Sequence, residues 1–158
     1  MALDVGEVAP TFTLAGVDGT TGEVGEYALE SFRGQPVVLV FYPGDNTPIC
    51  TRQLNAYTDD IGDFAGAGAQ VLALSPQSVE SHAGFATAQG GFAFPLLADE
   101  NKAVGQAYGV VGPVGFYRRS AFVVDANGIV RYAHRAIGGL TFRRTDELVR
   151  AVEASTTL

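Results

Sequence analysis

The chain has 158 residues, 47% of them apolar and 17% charged, with a net charge of −7 at pH 7. That length supports one folded domain, residues 1–158, able to bury roughly two-thirds of its unfolded surface, and the composition excludes a disordered chain. The acidic balance speaks against partners that need clustered Lys and Arg, nucleic acid and anionic lipid among them.

Thr11 to Leu14 alternates polar and apolar residues, and Asp18-Gly19 is a turn signal. The stretch Glu23 to Tyr27 is the candidate return strand of an N-terminal hairpin. Leu29 to Phe32 reads as a helical turn closed by Gly34. Val37 to Tyr42 is apolar without alternation, the pattern of a strand buried on both faces. After Pro48, the residues Leu54, Tyr57, Ile61 and Phe64 recur at spacings of three and four, which predicts one amphipathic helix ending near Gly66 or Gly68.

Val71 to Leu74 is a second buried strand. Ser75 to Gln89 reads as a helix with Ser75 or Ser78 as its cap and Gly90-Gly91 as its stop. Phe92 to Leu97 holds a short strand interrupted by Pro95. Asp99 can cap a helix running to about Tyr108, with Gly109 at its end. Ser120 to Val124 and Ile129 to His134 form a hairpin about Ala126-Asn127-Gly128. A last helix carries Leu148, Val149 and Val152 on one stripe. The order of elements predicts an α/β fold, a three-layer sandwich on a mixed sheet with helices on both faces.

The single cysteine, Cys50, follows the strand Val37–Tyr42 and falls in the first turn of the helix that Pro48 opens. It excludes an internal disulfide, so stability needs no oxidising compartment. Met1 to Glu7 shows no basic-then-apolar leader, and no apolar run is long enough to span a membrane. A cytoplasmic protein is the expectation.

Cys50 has two readings. A free cysteine is among the most buried residue types and acts as a small hydrophobe; Cys50 lies four residues before Leu54, on the face expected to pack inward. A helix N-terminus, however, carries unpaired N–H groups and partial positive charge, which stabilise a thiolate. Pro48 suits that first turn, and ligand sites of open α/β sheets lie beyond the C-terminal ends of strands. Thr47, three residues earlier, is either an N-cap or a hydroxyl aimed at a ligand. Pro43 either ends the strand or walls one side of the thiol.

Pro43-x-x-x-Thr47-x-x-Cys50, following Val-Val-Leu-Val-Phe-Tyr, resembles the active-site motif of the peroxiredoxins, thiol peroxidases with a thioredoxin-like fold. Val5 to Leu14, Leu29-x-x-Phe32-Arg33-Gly34-x-Pro36, Ala98-Asp99-Glu100 and Arg119 to Gly128 resemble further landmarks of that family in the same order. The resemblance implies that the Cys50 thiolate attacks the terminal peroxide oxygen and becomes a sulfenic acid. It implies that Thr47 holds the peroxide, that Pro43 shields the sulfenic acid, and that Arg119 stands opposite the cysteine. There a guanidinium offers a fork of donors to the peroxide oxygens and stabilises charge moving to the leaving oxygen. Arg118 and Arg119 are neighbours, so only one can face the thiol; the resemblance selects Arg119. Gln53, one turn after Cys50, is either a hydrogen-bond partner of that arginine or a surface residue.

Within the family, Thr47-Pro48-x-Cys50-Thr51-x-Gln53 resembles the bacterioferritin-comigratory or Q-type group. Many of its members carry a resolving cysteine five residues on, where this chain has Asn55. The resemblance is therefore to a one-cysteine form without metal or organic cofactor. Its sulfenic acid must be reduced by an external thiol: thioredoxin, a glutaredoxin-like protein or a small thiol. The alternative is a peroxide sensor or redox-dependent binding module on the same fold. His82, on an expected surface helix, and His134 invite a Cys–His hydrolase reading, which no oxyanion-hole motif accompanies. Asp59-Asp60 read as a solvated helix face. The apolar loop Val110 to Tyr117 is either ordinary packing or a wall or edge where a second copy docks to form a homodimer.

Overall fold

A computed structural model describes residues 3–136 and 142–156. Its centre is β3 (Val37–Phe41), buried at every position. Neighbouring residues of a strand point to opposite faces, so this one run feeds two cores. Val38 and Val40, with Tyr42 just beyond, pack with Cys50, Leu54 and Tyr57 on one side. Val37, Leu39 and Phe41 pack with Leu29, Val104, Tyr108 and Phe122 on the other. That division is why the run is continuous rather than alternating.

Among the described residues, seven strands form one mixed sheet. The hairpin of β1 (Thr13–Val17) and β2 (Val24–Ala28) forms one edge. Then come β5 (Leu96–Ala98) and β4 (Gln70–Ser75), next to β3. On its other side lie β6 (Ser120–Val124) and β7 (Val130–Arg135). β3 runs parallel to β4 and antiparallel to β6, with Phe41 opposite Ser120. Helices α1 (Pro48–Asp59), α2 (Ile61–Gly66), α3 (Val79–Ala88) and α5 (Thr145–Thr156) bury Leu54, Phe64, Phe85 and Leu148 in the first core. Helix α4 (Ala103–Ala107) and the 3-10 turn Leu29–Phe32 supply Val104 and Leu29 to the second. The sandwich expected from the element order is the fold observed.

Three expectations need correction. The helix after Pro48 is two helices, broken at Asp60. Consecutive carboxylates at a helix C-terminus oppose its partial negative charge, and Asp60 instead accepts a 2.8 Å bond from the Thr145 hydroxyl of α5. Asp59-Asp60 is thus only half a solvated face. Asp99 caps α4 from four residues upstream, accepting from the backbone N–H of Val104 and Gly105 at 3.1 and 2.8 Å. Ser75 ends β4, and the cap of α3 is Ser78, which accepts from Ser81 N at 3.1 Å.

Candidate active site

Pro48 occupies the first turn of α1, and Thr47 is the extended residue before it. The Thr47 hydroxyl makes no capping bond; it donates only to Gly44 O at 3.4 Å. The reading of Thr47 as a side-chain N-cap is thereby corrected: the backbone takes the cap position and leaves the hydroxyl almost uncommitted. Pro43 and Thr47 are exposed on the loop that leads to Cys50, whereas Cys50 is fully buried in the first turn of α1.

The opposite wall comes from the sheet. Pairing of Phe41 with Ser120 sets Arg119 beside the end of β3, just where the chain turns toward α1. Arg119 is 5% exposed. Its Nη2 lies 3.3 Å from Cys50 Sγ and its Nη1 donates to Gln53 Oε1 at 2.6 Å. Its Nε has no partner among the described residues. Gln53 is buried, not a surface residue, so of its two readings the structure takes the arginine partner. Arg118 points away and donates from Nε to Ala136 O at 3.2 Å. The arrangement therefore joins Cys50, Arg119 and Gln53 in one buried cluster, with Thr47 and Pro43 on its exposed loop.

A guanidinium has five N–H donors. Gln53 and Cys50 engage two of the Arg119 set, leaving donors to meet an incoming oxygen. Beside Gln53, the Tyr57 hydroxyl donates to Arg143 O, and burial pushes its pKa up to about 12. It stays a neutral donor at physiological pH.

Neither histidine meets Cys50. His134 is half-buried on β7; burial, reinforced by Arg143, pushes its pKa down and favours the neutral ring. His82 is fully buried, which corrects its placement on a surface helix face. It belongs to a network with Tyr42, Asp45 and Ser81. Sequence reasoning passed over Asp45, although it stands inside the motif. The loop Val110–Tyr117 is buried at both ends, and the Tyr117 hydroxyl donates to Asp99. Its middle exposes Val114 and Phe116. Among the described residues no group of three or more His, Cys, Asp or Glu is placed to hold a metal ion.

A buried thiol at a helix start, faced by a guanidinium from the neighbouring antiparallel strand, is the arrangement of a thioredoxin-like protein built for thiol redox chemistry. Comparison with known proteins sharpens that class. The AhpC/TSA family model matches residues 5–133. The chain is 38% identical over 154 residues to a Mycobacterium tuberculosis protein provisionally named a peroxiredoxin, covering 91% of this chain and 94% of that one. It is 38% identical over 131 residues to the chloroplastic peroxiredoxin Q of Triticum aestivum, covering 82% of this chain and 58% of the plant protein. Among solved structures, the reduced 2-Cys peroxiredoxin of Plasmodium vivax superposes with a TM-score of 0.88 at 28% identity, over 97% of this chain and 82% of that one. The chain belongs to the AhpC/TSA family of peroxiredoxins, and it is a one-cysteine form.

Proposed function

We propose that the chain reduces hydrogen peroxide and organic hydroperoxides with Cys50 as the nucleophile. The observation that carries this reading is the 3.3 Å approach of Arg119 Nη2 to Cys50 Sγ, with both side chains buried. The thiolate attacks the terminal oxygen, a sulfur–oxygen bond forms and the oxygen–oxygen bond breaks. The electron pair leaves with the second oxygen, which takes a proton and departs as water or an alcohol. Thr47 and Arg119 hold the two peroxide oxygens, and Arg119 stabilises the charge arriving on the leaving one. Gln53 fixes the guanidinium, and Pro43 screens the nascent sulfenic acid from solvent.

Asn55 donates to Gln89 Oε1 at 3.0 Å, and Cys50 is the only thiol in the chain, so two external thiols return the sulfenic acid to thiol, releasing water and their own disulfide. Thioredoxin, a glutaredoxin-like protein and a low-molecular-weight thiol are the three candidate reductants. A free catalytic thiol favours the cytoplasm as the working compartment. Exposed Val114 and Phe116 supply an apolar edge for a homodimer, which sedimentation at several concentrations reads directly.

Stopped-flow reaction of the reduced protein with peroxide tests the nucleophile, with Cys50→Ser as the control. A wild-type rate no faster than that of free cysteine overturns the proposal. Steady-state turnover with each of the three reductants then identifies the partner.

A further inference from the structure

The network behind the Pro43–Cys50 segment is built more tightly than burial alone requires. His82 Nε2 stands 2.9 Å from the Leu97 carbonyl; a carbonyl only accepts, so Nε2 carries a proton. His82 Nδ1 lies 2.8 Å from Asp45 Oδ2 and 3.0 Å from Oδ1. Those same oxygens accept the Tyr42 hydroxyl at 2.7 Å and the Ser81 hydroxyl at 2.7 Å. Burial works to raise the Asp45 pKa, but the bonds from His82, Ser81 and Tyr42 outweigh it and hold the carboxyl below its ordinary range. Asp45 is therefore a carboxylate, and both ring nitrogens of His82 face acceptors, Nδ1 the carboxylate and Nε2 the carbonyl.

We propose that His82 is a positioning residue for the peroxide reaction, clamping the Asp45 carboxylate of the active-site loop to α3 through Nδ1, while the Leu97 carbonyl only steadies the ring. The clamp fixes the loop in the conformation that presents Thr47 and Cys50 to Arg119. This inference rests on the peroxidase reading above.

The surroundings of the clamp support direction, rather than stability, as the purpose. A buried charge with its partners adds little over well-packed apolar side chains of the same volume, so stability alone does not account for this one. Asp45 is held twice, by its carboxylate and by its backbone N–H, which donates to Gln77 Oε1 at 2.8 Å. The next residue, Asn46, has a φ of 63°, a conformation that few non-glycine residues adopt unless their surroundings impose it. Tyr42 shares its core with Cys50, so the clamp and the thiol are anchored in one packed unit. Asp45 stands two residues before Thr47, and a displaced loop moves the hydroxyl and the sulfur together.

Two near-isosteric variants separate the halves of the clamp. In His82→Asn the side-chain amide takes the place of Nδ1, keeping the donor to Asp45 and losing the bond to Leu97. In His82→Gln the amide takes the place of Nε2, with the opposite outcome. Each variant is measured for its stopped-flow rate with hydrogen peroxide and for alkylation of Cys50 by iodoacetamide, a reaction that needs the thiolate but not the peroxide geometry. His82→Gln is expected to lose about 10²-fold in the peroxide rate, the effect of a misplacement near 1 Å, while alkylation, which must reach a sulfur with no exposed surface, does not fall. His82→Asn is expected to stay near the wild-type rate.

Asp45→Ala, which lies in a loop outside every helix and strand, tests the clamp from its other end and should lose peroxide rate selectively too. Equal peroxide rates for His82→Gln and His82→Asn, parallel losses in both reactions, or a fully active Asp45→Ala would overturn the clamp while leaving the peroxidase intact. A wild type without a fast peroxide phase would overturn the peroxidase reading and the clamp with it.

Discussion

Replacing Arg119 by Ala removes the contact of the sheet with the thiol and the bond to Gln53. At 3.3 Å from the sulfur, a full guanidinium–thiolate interaction amounts to about 5 kcal/mol at an effective dielectric near 20. Only part of that bears on the rate, because the arginine touches sulfur before the reaction and catalysis gains only what is stronger in the transition state. Negative charge moves from sulfur onto the leaving oxygen, and the unspent Arg119 donors meet it there. Loss of one such preorganised donor costs about 10²- to 10³-fold, so the Arg119→Ala peroxide rate should fall within that range. Arg119→Lys keeps the charge, loses the fork and should lie between. Stability should fall too, by about 1–3 kcal/mol, because Gln53 Oε1 is left buried without its donor. Arg118→Ala, which removes only a bond to the Ala136 carbonyl, should react at the wild-type rate. Stopped-flow oxidation beside urea titration reads both quantities. An Arg119→Ala enzyme as fast as wild type, or an Arg118→Ala enzyme equally slow, refutes the assignment.

Thr47→Ala should slow peroxide reaction by about tenfold or more, as expected for loss of a positioned transition-state donor, yet cost far less than the roughly 1 kcal/mol of a lost N-cap, since no cap bond exists. Thr47→Ser should recover the rate, and a large drop in melting temperature for Thr47→Ala would contradict the observed cap. Burial works to raise the pKa of Asp125, but the backbone N–H groups of Ile129 and Asn127 and the Arg131 side chain outweigh it and hold the carboxyl below its ordinary range. Its stabilisation is therefore complete above the unfolded value near 3.9 and lost as pH falls through the lower folded value. Asp125→Asn should flatten the acid limb of a stability–pH curve, and an unchanged limb would rule this out. A Cβ on Gly19 would stand 2.4 Å from the carbonyl oxygens of Phe92 and Phe94, whereas one on Gly25 would meet nothing within 4 Å. Calorimetry should show Gly19→Ala destabilised by about 1–3 kcal/mol and Gly25→Ala unharmed.

What the sequence reveals follows the range of the forces involved. The unbroken apolar run Val37 to Tyr42 already implies burial on both faces, and Pro48 announces the helix start that holds Cys50. Both are local patterns. The partnership of Cys50 with Arg119 depends on strand register, Phe41 opposite Ser120, which joins residues 69 positions apart and leaves no local trace. Only the family motif pointed to Arg119 over Arg118. His82 was misplaced because α3 carries apolar or small residues on several sides, among them Val79, Ala83, Phe85 and Ala86, so its pattern does not say which face is buried. Its partner Asp45 reads as an ordinary loop acid until the fold brings His82 beneath it. The break at Asp60 was equally hidden, since Ile61 and Phe64 continue the helical spacing across it.

The same burial that shapes the peroxide site makes its second half-reaction demanding. A peroxide presents two small oxygens, but a reducing thiol must bring its sulfur to bonding distance of Cys50, about 2 Å, and Cys50 has no exposed surface. The body of α1 is fixed: Leu54 and Tyr57 are fully buried and Asn55 is tied to Gln89. The first turn is held by the Arg119 contact to Cys50 and by Thr51, whose backbone N–H and hydroxyl both donate to Thr47 O at 2.9 and 2.7 Å, and it is flanked by exposed Pro43, Asn46, Thr47 and Pro48. Opening of that turn, before any encounter with a reductant, should therefore gate reduction. The rate of sulfenic acid reduction should saturate as small-thiol concentration rises, at a plateau shared by chemically different thiols, and Thr51→Val should raise that plateau by removing the hydroxyl bond. A rate that stays linear in thiol concentration, with a slope set by each thiol's nucleophilicity, would mean that the sulfur is reached without opening.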